Sequence, residues 1–339
     1  MILCGDIGGT KTLLALADKA ADGRLRIHFQ RRYLARDYPD FAAPFADFIA
    51  AAAAAGQPPH TIRSGCLAVA GPIETQGRSA RLTNLPWRID ADALAAQQAC
   101  GPLRLVNDFV AAAAGIAALD DDALVTLQAG QPLDHAPRVI VGAGTGLGTA
   151  SLVWQNDGQG RGRYRILPGE GGHCAFAPTD AEQAALWYWL AARLPSGRVT
   201  AEEVISGRGL LAIHDFLRTQ HAADAADPRA AADPAAAISA LAATAPHSLA
   251  RRALDLFCRA YGAFAGDLAL LLLARGGVYI AGGIAAQILP LLRSGPFLAA
   301  FNAKAEHARL AALMPLHVVT DPDLGLKGAA LLALSPDDD

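Results

Sequence analysis

The 339-residue sequence lacks the strong charge bias that marks several classes of protein. Its net charge is only −3, so the bulk charge gives no indication of a nucleic-acid partner or an anionic membrane surface. Charged residues make up 18% of the chain and hydrophobic residues 53%, which excludes extensive disorder and supplies material for a large core. A chain of this length is expected to form two domains.

Long apolar runs and paired cysteines are also missing. The run "LALLLLA" before Arg275 is too short to span a bilayer, and "MILCGDIGG" has an acid at Asp6 and no basic stretch, unlike a signal peptide. The cysteines are odd in number and none has C-x-x-C spacing, so neither a disulfide framework nor a zinc site is expected. These absences predict a cytoplasmic protein. The cysteines are Cys4, Cys66, Cys100, Cys174 and Cys258.

Strand-like and helix-like segments alternate along the chain, which predicts an α/β layer structure. Strands are expected in "MILCGDI", "KTLLALAD", "RLRIHFQRRYLA", "IRSGCLAVAGPI" and "LRLV", and helices in "FAAPFADFIAAAAAAG" and at residues 91–98. The pattern restarts at "RVIVGAGTGLGTASLVW", so strand, glycine turn and strand occur near residue 8 and again near residue 145. This recurrence predicts a duplicated half.

The second half continues the same alternation. Helices are expected in "AEQAALWYWLAARL", "GLLAIHDFLRT" and the long "SLARRALDLFCRAYGAFAGDLALLLLA", and strands in "YRILPGEGGH", "GVYIAGGIA" and "LHVVTD". A last helix is expected over residues 326–334. Residues 221–237, rich in Ala, Asp and Pro, are predicted to be an exposed connection, and the acidic runs 120–122 and 337–339 to be solvated.

Neither of two common phosphate-binding motifs fits the segment "VGAGTGLG". Its spacing is G-x-G-x-G-x-G where a dinucleotide site has G-x-G-x-x-G, and the following "TASLVW" favours a strand over a helix. No G-x-x-x-x-G-K-[ST] occurs. What remains is a β-hairpin whose tip presents backbone N–H groups to an anion. An ordinary tight turn explains either tip alone, but two tips in corresponding places favour a polyphosphate site. The tips are Gly8-Gly9-Thr10 and Gly144-Thr145-Gly146, with Gly282-Gly283 after a further buried strand.

Six motifs together resemble the bacterial glucokinase family: "GDIGGTKT", "VNDF", "GAGTGLG", "LPGEGGH", "VISGRGL" and "VYIAGGI", in this order. The resemblance extends from about residue 3 to about residue 330. It implies the two-domain, actin-like ATPase (ribonuclease H-like) α/β fold with an interdomain cleft. Residues 1–115 and 320–339 would form a small domain and residues 116–319 a large one. It also implies a homodimer that transfers the γ-phosphate of ATP, with Mg²⁺, to the 6-hydroxyl of glucose.

The resemblance implies that Asp108 is the general base and that Asn107 beside it binds the sugar. Phosphoryl transfer needs positioning, charge stabilisation and a group that accepts the hydroxyl proton. Both residues follow the strand "LRLV", at the carboxyl end of the predicted sheet, where ligand sites of α/β proteins gather. Either residue is also a good N-cap for the helix that begins there, so the catalytic and the capping interpretations both stay open.

Three polar residues of the second half match family residues that hold sugar hydroxyls: Glu170, His173 and Glu202. A carboxylate suits this task because each of its oxygens accepts a hydrogen bond from a hydroxyl. The alternative for Glu202 is a surface acid of a helix that begins with a capping box at Thr200.

The remaining site residues are assigned to the phosphates. Asp6 resembles the acid that faces the phosphates and, through water, Mg²⁺, while the Thr10 and Thr145 hydroxyls are candidate phosphate donors. Lys11 stands where close relatives in the glucokinase group more often carry Asn, and it has no assigned role. The glycines that would admit the nucleotide are Gly8, Gly9, Gly144, Gly146, Gly282 and Gly283.

Several alternatives keep the fold and change the function. A kinase of mannose, fructose or an N-acetylhexosamine would carry the same motifs. The related repressor–open-reading-frame–kinase (ROK) family carries a cysteine-rich zinc motif after the histidine, whereas this chain has only Cys174 there, which is expected to be a packed thiol. A sugar-responsive repressor would need a helix-turn-helix module before the first hairpin. A sugar-independent ATPase would leave "PGEGGH" unexplained.

Overall fold

A computed structural model describes residues 1–74, 77–156, 158, 162–221 and 227–335. The chain forms two compact units. Unit 1 comprises Met1–Asp121 and Asp321–Asp339, and unit 2 comprises Asp122–Thr320. Both chain ends therefore contribute to unit 1. The boundaries predicted from the sequence lie after residues 115 and 319.

The described residues contain fourteen strands. Those of unit 1 are β1 (Ile2–Ile7), β2 (Lys11–Lys19), β3 (Leu25–Leu34), β4 (Ser64–Val69), β5 (Ile73–Glu74), β6 (Ser79–Arg81), β7 (Arg88–Asp90) and β8 (Leu103–Asn107). Those of unit 2 are β9 (Leu124–Gln128), β10 (Arg138–Ala143), β11 (Leu147–Asn156), β12 (Gly162–Gly169), β13 (Gly277–Ala281) and β14 (Leu316–Val319).

Twelve α-helices lie in the same described ranges. They are α1 (Ala42–Ala54), α2 (Ala91–Gln98), α3 (Asp108–Gly115), α4 (Ala181–Ala191), α5 (Gly207–Arg218), α6 (Pro234–Thr244), α7 (Leu249–Leu272), α8 (Gly283–Gln287), α9 (Leu289–Arg293), α10 (Pro296–Asn302), α11 (Ala308–Ala312) and α12 (Leu324–Leu334). None of the helices in the described part of the chain combines the length and the apolar character needed to cross a lipid bilayer.

The main sheets of the two units have the same topology. In unit 1 the order is β3-β2-β1-β4-β8, where β1, β2 and β3 are antiparallel and β1, β4 and β8 are parallel. In unit 2 the order is β12-β11-β10-β13-β14-β9, with the same directions over the first five strands and an antiparallel β9 at the edge. The predicted duplication is therefore present in the strand order.

Apolar residues fill both faces of the unit 1 sheet. One face of β1 packs Leu3 and Ile7 against Phe45 and Phe48 of α1. The opposite face is covered by small and apolar residues of α12. Helices α3 and α12 pack so closely that a Cβ at Gly328 would overlap a backbone carbonyl of α3. The C-terminal helix is thus a core element of unit 1.

In unit 2 the long helix α7 supplies much of the core. Its buried residues include Phe257 and Tyr261, which pack in an edge-to-face arrangement with ring centroids 5.9 Å apart. The apolar spacing along "SLARRALDLFCRAYGAFAGDLALLLLA" predicted one substantial buried helix, and the structure confirms it. Strands β10, β13 and β14 lie against this core with alternate residues buried in the same cluster.

Some local predictions were wrong or incomplete. Helix α6 begins at Pro234, inside the segment 221–237 that was predicted to be an exposed connection, because Asp233 caps its N-terminus. Residues 222–226 and 336–339, including the acidic tail, lie outside the described residues. Strand β9 and the small three-stranded sheet β5-β6-β7 were not predicted, since strands of two to five residues give little periodic signal.

Candidate functional site

The first hairpin tip, residues 8–10, joins β1 to β2. The backbone N–H of Gly8 donates to the carbonyl of Lys11 over 2.9 Å, which closes the turn. A Cβ on Gly9 would lie 3.1 Å from Cβ of Asn84, tighter than most packing contacts. Thr10 and Lys11 are exposed. The tip is therefore compact on its protein side and open at Thr10.

Asp6 lies on β1, two residues before this tip. Its Oδ2 lies 3.2 Å from where a Cβ of Gly325 in α12 would stand, so glycine leaves room for the carboxylate at that helix end. Burial raises the pKa of Asp6, the charge of Lys11 opposes this rise, and the charge of Asp323 adds to it. The ionised form of such a buried acid is stabilised by a neighbouring cation.

The chemistry around Asp6 suits Mg²⁺. This ion takes hard oxygen ligands and usually binds through one or two carboxylates, waters and substrate phosphates. Within the described residues there is no group of three or more His, Cys, Asp or Glu that would make a complete protein cage. Asp6 fits an ion held partly by the phosphates of a bound nucleotide.

Asn107 and Asp108 lie at the junction of β8 and α3. The structure makes Asn107 the N-cap: its Oδ1 accepts the Phe109 N–H at 2.9 Å, and its φ and ψ are extended. Asp108 is the first helical residue, and its Oδ1 accepts the same N–H at 3.0 Å. The capping interpretation therefore applies to Asn107, and the Asp108 carboxylate lies at the helix N-terminus, where negative charge is stabilised.

The second hairpin tip, residues 144–146, joins β10 to β11. Gly144 donates its N–H to the carbonyl of Gly146 and accepts from the N–H of Gly207, both over 2.8 Å. A Cβ at Gly144 would meet no heavy atom within 4 Å, whereas one at Gly146 would lie 2.6 Å from Oε2 of Glu202. A side chain at 146 would therefore have to displace the Glu202 carboxylate, whereas the space beside Gly144 is open. Thr145 between them is exposed.

A buried tyrosine supports the strand that leads to this tip. The hydroxyl of Tyr261 donates to the carbonyl of Val141 at 3.1 Å and accepts the Ala143 N–H at 3.3 Å. Burial raises its pKa, so it stays a neutral donor and acceptor.

The loop 169–173 follows β12 and carries Glu170 and His173. Thr149 holds it: its hydroxyl accepts the Gly171 N–H at 3.1 Å and donates to the Gly169 carbonyl at 3.4 Å. Oε2 of Glu170 and Nε2 of His173 are 3.9 Å apart, and these side chains are 74% and 60% exposed. Their polar atoms are thus close together and accessible.

Glu202 connects this loop to the second hairpin tip. Its backbone N–H donates to the Gly172 carbonyl at 2.9 Å, and its Oε2 accepts the Leu147 N–H at 2.8 Å. Its Oε1 accepts from Arg208 at 2.5 Å, and only 15% of the side chain is exposed. It lies in a turn before α5, so the alternative of a surface acid on a capped helix is wrong.

Gly282 and Gly283 differ in whether the fold itself requires a glycine at the position. Gly282 has φ of 89°, and a Cβ there would clash with the Ala143 carbonyl of the neighbouring strand, so the fold itself needs this glycine. Gly283 is exposed, and a Cβ on it would meet nothing within 4 Å. Only the second of the pair has open space beside it.

Cys174 lies directly after the loop 169–173 and is exposed. The prediction of a packed thiol is therefore wrong. The cysteine-rich zinc motif of the ROK family is absent from the sequence after Cys174. The polar end of this loop carries a free, accessible thiol.

Thr149, Tyr261 and Arg208 were not predicted as site residues. Thr149 and Tyr261 act through backbone contacts formed between segments far apart in sequence, which no local pattern reports. Arg208 lies within the motif "VISGRGL". Its pairing with Glu202 was not predicted because Glu202 lies in a turn and Arg208 in α5, so no single helix or strand period relates the two residues.

The sequence matches the family model described as Glucokinase over residues 3–336. It is 38% identical over 348 aligned positions to a protein of Nostoc sp. named Glucokinase, with 98% of each chain covered. A match of this extent covers both units.

Solved structures show the same likeness. A glucokinase from an Antarctic psychrotroph superposes with a TM-score of 0.79 at 29% identity, covering 98% of both chains. A ROK family glucokinase from Streptomyces griseus, in complex with glucose and AMPPNP, gives a TM-score of 0.65 at 22% identity, covering 98% of this chain and 99% of that one. At that lower identity the likeness concerns the fold alone.

Proposed function

Since this chain belongs to the glucokinase family and is a sugar kinase, we propose that it transfers the γ-phosphate of ATP to the 6-hydroxyl of D-glucose, giving glucose 6-phosphate. The observation that carries the proposal is the linkage of two polar elements through Glu202. Its carboxylate and backbone join the glycine tip 144–146, which suits a phosphate, to the loop 169–173, which suits a polyol. The solved ROK family structure with glucose and AMPPNP supports this pair of ligands for the fold.

The sugar is assigned to five residues: Asn107, Asp108, Glu170, His173 and Glu202. Exposed carboxylate and imidazole groups 3.9 Å apart can each bind a neighbouring hydroxyl of one pyranose ring. Glu202 keeps unused lone pairs on both oxygens after accepting from Leu147 and Arg208, because each carboxylate oxygen accepts two hydrogen bonds.

Asp108 is assigned as the general base. Its carboxylate lies at the first position of α3, where Asn107 is the N-cap residue, and the helix N-terminus favours its ionised form. The carboxylate accepts the proton of the 6-hydroxyl as that oxygen bonds to phosphorus and the bond to the leaving ADP oxygen breaks.

The nucleotide is assigned to the two hairpin tips and to Gly282 and Gly283. Backbone N–H groups at glycine tips bind phosphate oxygens, with hydroxyl donors from Thr10 and Thr145. The open space beside Gly144 and Gly283 suits close approach of a phosphate and of the adenosine. Asp6 would hold Mg²⁺ through water, and the ion would neutralise phosphate charge.

We place this activity in the cytoplasm, where ATP is made and thiols stay reduced. None of the five cysteines, all of which lie in the described residues, forms a disulfide, and Cys4, Cys66 and Cys258 are buried. The homodimer remains a prediction.

The test is turnover of a panel of hexoses with ATP and Mg²⁺. Glucose, mannose, fructose and N-acetylglucosamine are compared by kcat/KM, and the product is identified as the 6-phosphate by NMR. The proposal requires glucose to give the highest value. A higher value for another hexose would show that the reaction is the same but that the preferred substrate is that hexose. ATP hydrolysis that no hexose stimulates would refute the sugar-kinase mechanism.

Cys174 supplies an independent binding test. Its exposed thiol directly follows His173, so bound glucose should slow its alkylation by N-ethylmaleimide. The variant C174S identifies the labelled site, and an unchanged alkylation rate at saturating glucose would argue against a sugar beside this loop.

A further inference from the structure

Arg208 contacts two neighbouring acids through one nitrogen, Nη2, and this three-residue arrangement is called the fork. Its guanidinium lies 2.5 Å from Oε1 of Glu202 and 3.0 Å from Oε1 of Glu203. Arg208 is 56% exposed, whereas Glu202 is 15% and Glu203 22% exposed. A half-exposed arginine is thus held against a carboxylate that is mostly buried.

The two oxygens of Glu202 face different partners. Oε1 faces Arg208, and Oε2 accepts the Leu147 N–H of the second hairpin. The same segment grips the tip again, since the Gly207 N–H donates to the Gly144 carbonyl and the Ser206 hydroxyl donates to the Glu202 carbonyl at 2.7 Å. The orientation of this one carboxylate therefore helps to fix the tip.

We propose that Arg208 is a positioning residue that couples sugar binding to the order of the second hairpin tip, residues 144–146. The inference rests on the proposed function, because Glu202 must also accept a sugar hydroxyl. Arg208 holds Oε1 so that Oε2 stays on the Leu147 N–H. A sugar hydroxyl that bonds the same carboxylate then further restricts its motion and that of the tip.

The charge of Arg208 matters as well as its position. Glu202 and Glu203 are adjacent acids, and without the guanidinium their repulsion would favour rotation of the Glu202 side chain into solvent. Charge-assisted hydrogen bonds to a partly buried carboxylate are among the stronger polar contacts, so this one can hold a rotamer.

Coupling of this kind is reciprocal. If glucose tightens nucleotide binding by some factor, the nucleotide tightens glucose binding by the same factor, and such factors are typically about 5- to 150-fold. Arg208 touches neither ligand in this scheme, so its removal should lower the coupling factor more than it lowers either affinity measured alone.

The experiment measures glucose binding by calorimetry with and without saturating AMPPNP and Mg²⁺. R208Q removes the charge, R208K keeps it on a shorter side chain, and E203Q removes the second acid while leaving the Arg208–Glu202 pair. We expect the coupling factor to fall towards 1 in R208Q, to be intermediate in R208K, and to be unchanged in E203Q. Circular dichroism melting checks that each variant is folded.

The outcomes separate this inference from the proposed function. A wild-type chain that binds and phosphorylates glucose, with R208Q showing the same coupling factor, would overturn the role of Arg208 alone. An equal loss in E203Q would also overturn it, because the fork and not the Glu202 contact would then matter. A wild-type chain that does not bind glucose would overturn the proposed function first.

Discussion

The two units share one sheet topology, yet the candidate site residues that lie at their strand ends are of different types. In unit 1, Asp6 lies near the end of β1, and Asn107 and Asp108 lie at the end of β8. In unit 2, Gly144 follows β10 and Gly282 follows β13. At these strand ends, unit 1 therefore presents carboxylates and an amide, while unit 2 presents glycine backbone.

The hairpin tips show the same contrast. Asp6 of the first hairpin corresponds in register to Gly142 of the second, because each is the next-to-last residue of its strand. The second hairpin instead receives its carboxylate from Glu202, which belongs to another segment. A duplicated fold can thus keep its backbone geometry while the source of each charged group changes.

The largest expected effect lies on the charged side of this comparison. In D108N the amide cannot accept the hydroxyl proton, so kcat should fall by about 10²–10⁴. The cap contact of Asn107 remains, and the helix-dipole contribution that D108N removes is roughly 0.3–1 kcal/mol, so the loss of stability should be small beside the loss of kcat. Steady-state kinetics and thermal melting measure the two effects.

D92N is the matched control, since Asp92 is the first-turn acid of α2 in the same unit. It should lose at least as much stability, because it also breaks the pair between Asp92 and Arg78, with unchanged kcat. A D108N enzyme that turns over glucose within a few-fold of the parent would show that the charge at this strand end is structural.

The next effect lies on the glycine side. G283V adds three carbons where the unliganded protein has open space, so folding should be unaffected while the KM for ATP rises far more than that for glucose. Overpacking against a ligand costs about 1–3 kcal/mol, which corresponds to roughly 5- to 150-fold. Equal rises in both KM values would point to general damage.

A smaller pair of effects separates the two glycines of the second tip. G144A places one methyl group in open space, so the melting temperature should not change. The KM for ATP should rise about fivefold, which corresponds to about 1 kcal/mol of overpacking against the ligand. G146A pushes against Oε2 of Glu202 and should raise the KM for glucose and lower stability. Identical profiles for the two variants would contradict the division of roles within this tip.

The smallest effect concerns helix ends in each unit. Helix α2 ends at Ala99 with φ of 49°, and α7 ends at Leu273 with φ of 49°, although both residues are strained in that conformation. A99G and L273G should each stabilise the protein by about 1 kcal/mol in urea unfolding. A loss of stability in L273G would show that the packing of the half-exposed Leu273 side chain contributes more to stability than the backbone strain costs.

The family and much of the fold were predictable from local signals. The resemblance to bacterial glucokinases is confirmed, and the chain has the actin-like ATPase fold of its structural neighbours. Alternating strands and helices, and the glycine tip at residue 145, are short-range patterns that read directly from sequence. The hairpin, and not a helix, after "GAGTGLG" is confirmed because Leu147 begins β11.

The support of the site was not predictable in the same way. That Asn107 and not Asp108 caps α3 depends on one residue of helix register. The role of Glu202 depends on a hydrogen bond to Leu147, 55 residues earlier in the chain. Periodicity reports which face of an element is buried, but it carries no information about such long-range polar pairs.

The position of α12 in the chain has a consequence for synthesis. Unit 1 begins with β1, but the helix that covers one face of its sheet emerges from the ribosome only after the whole of unit 2. The continuous segment Asp122–Thr320 is complete earlier, so unit 2 can fold while β1 and β4 still expose apolar residues. During that interval a chaperone that shields this sheet face would protect the nascent chain, and a ribosome stalled before residue 321 would release a product prone to aggregate.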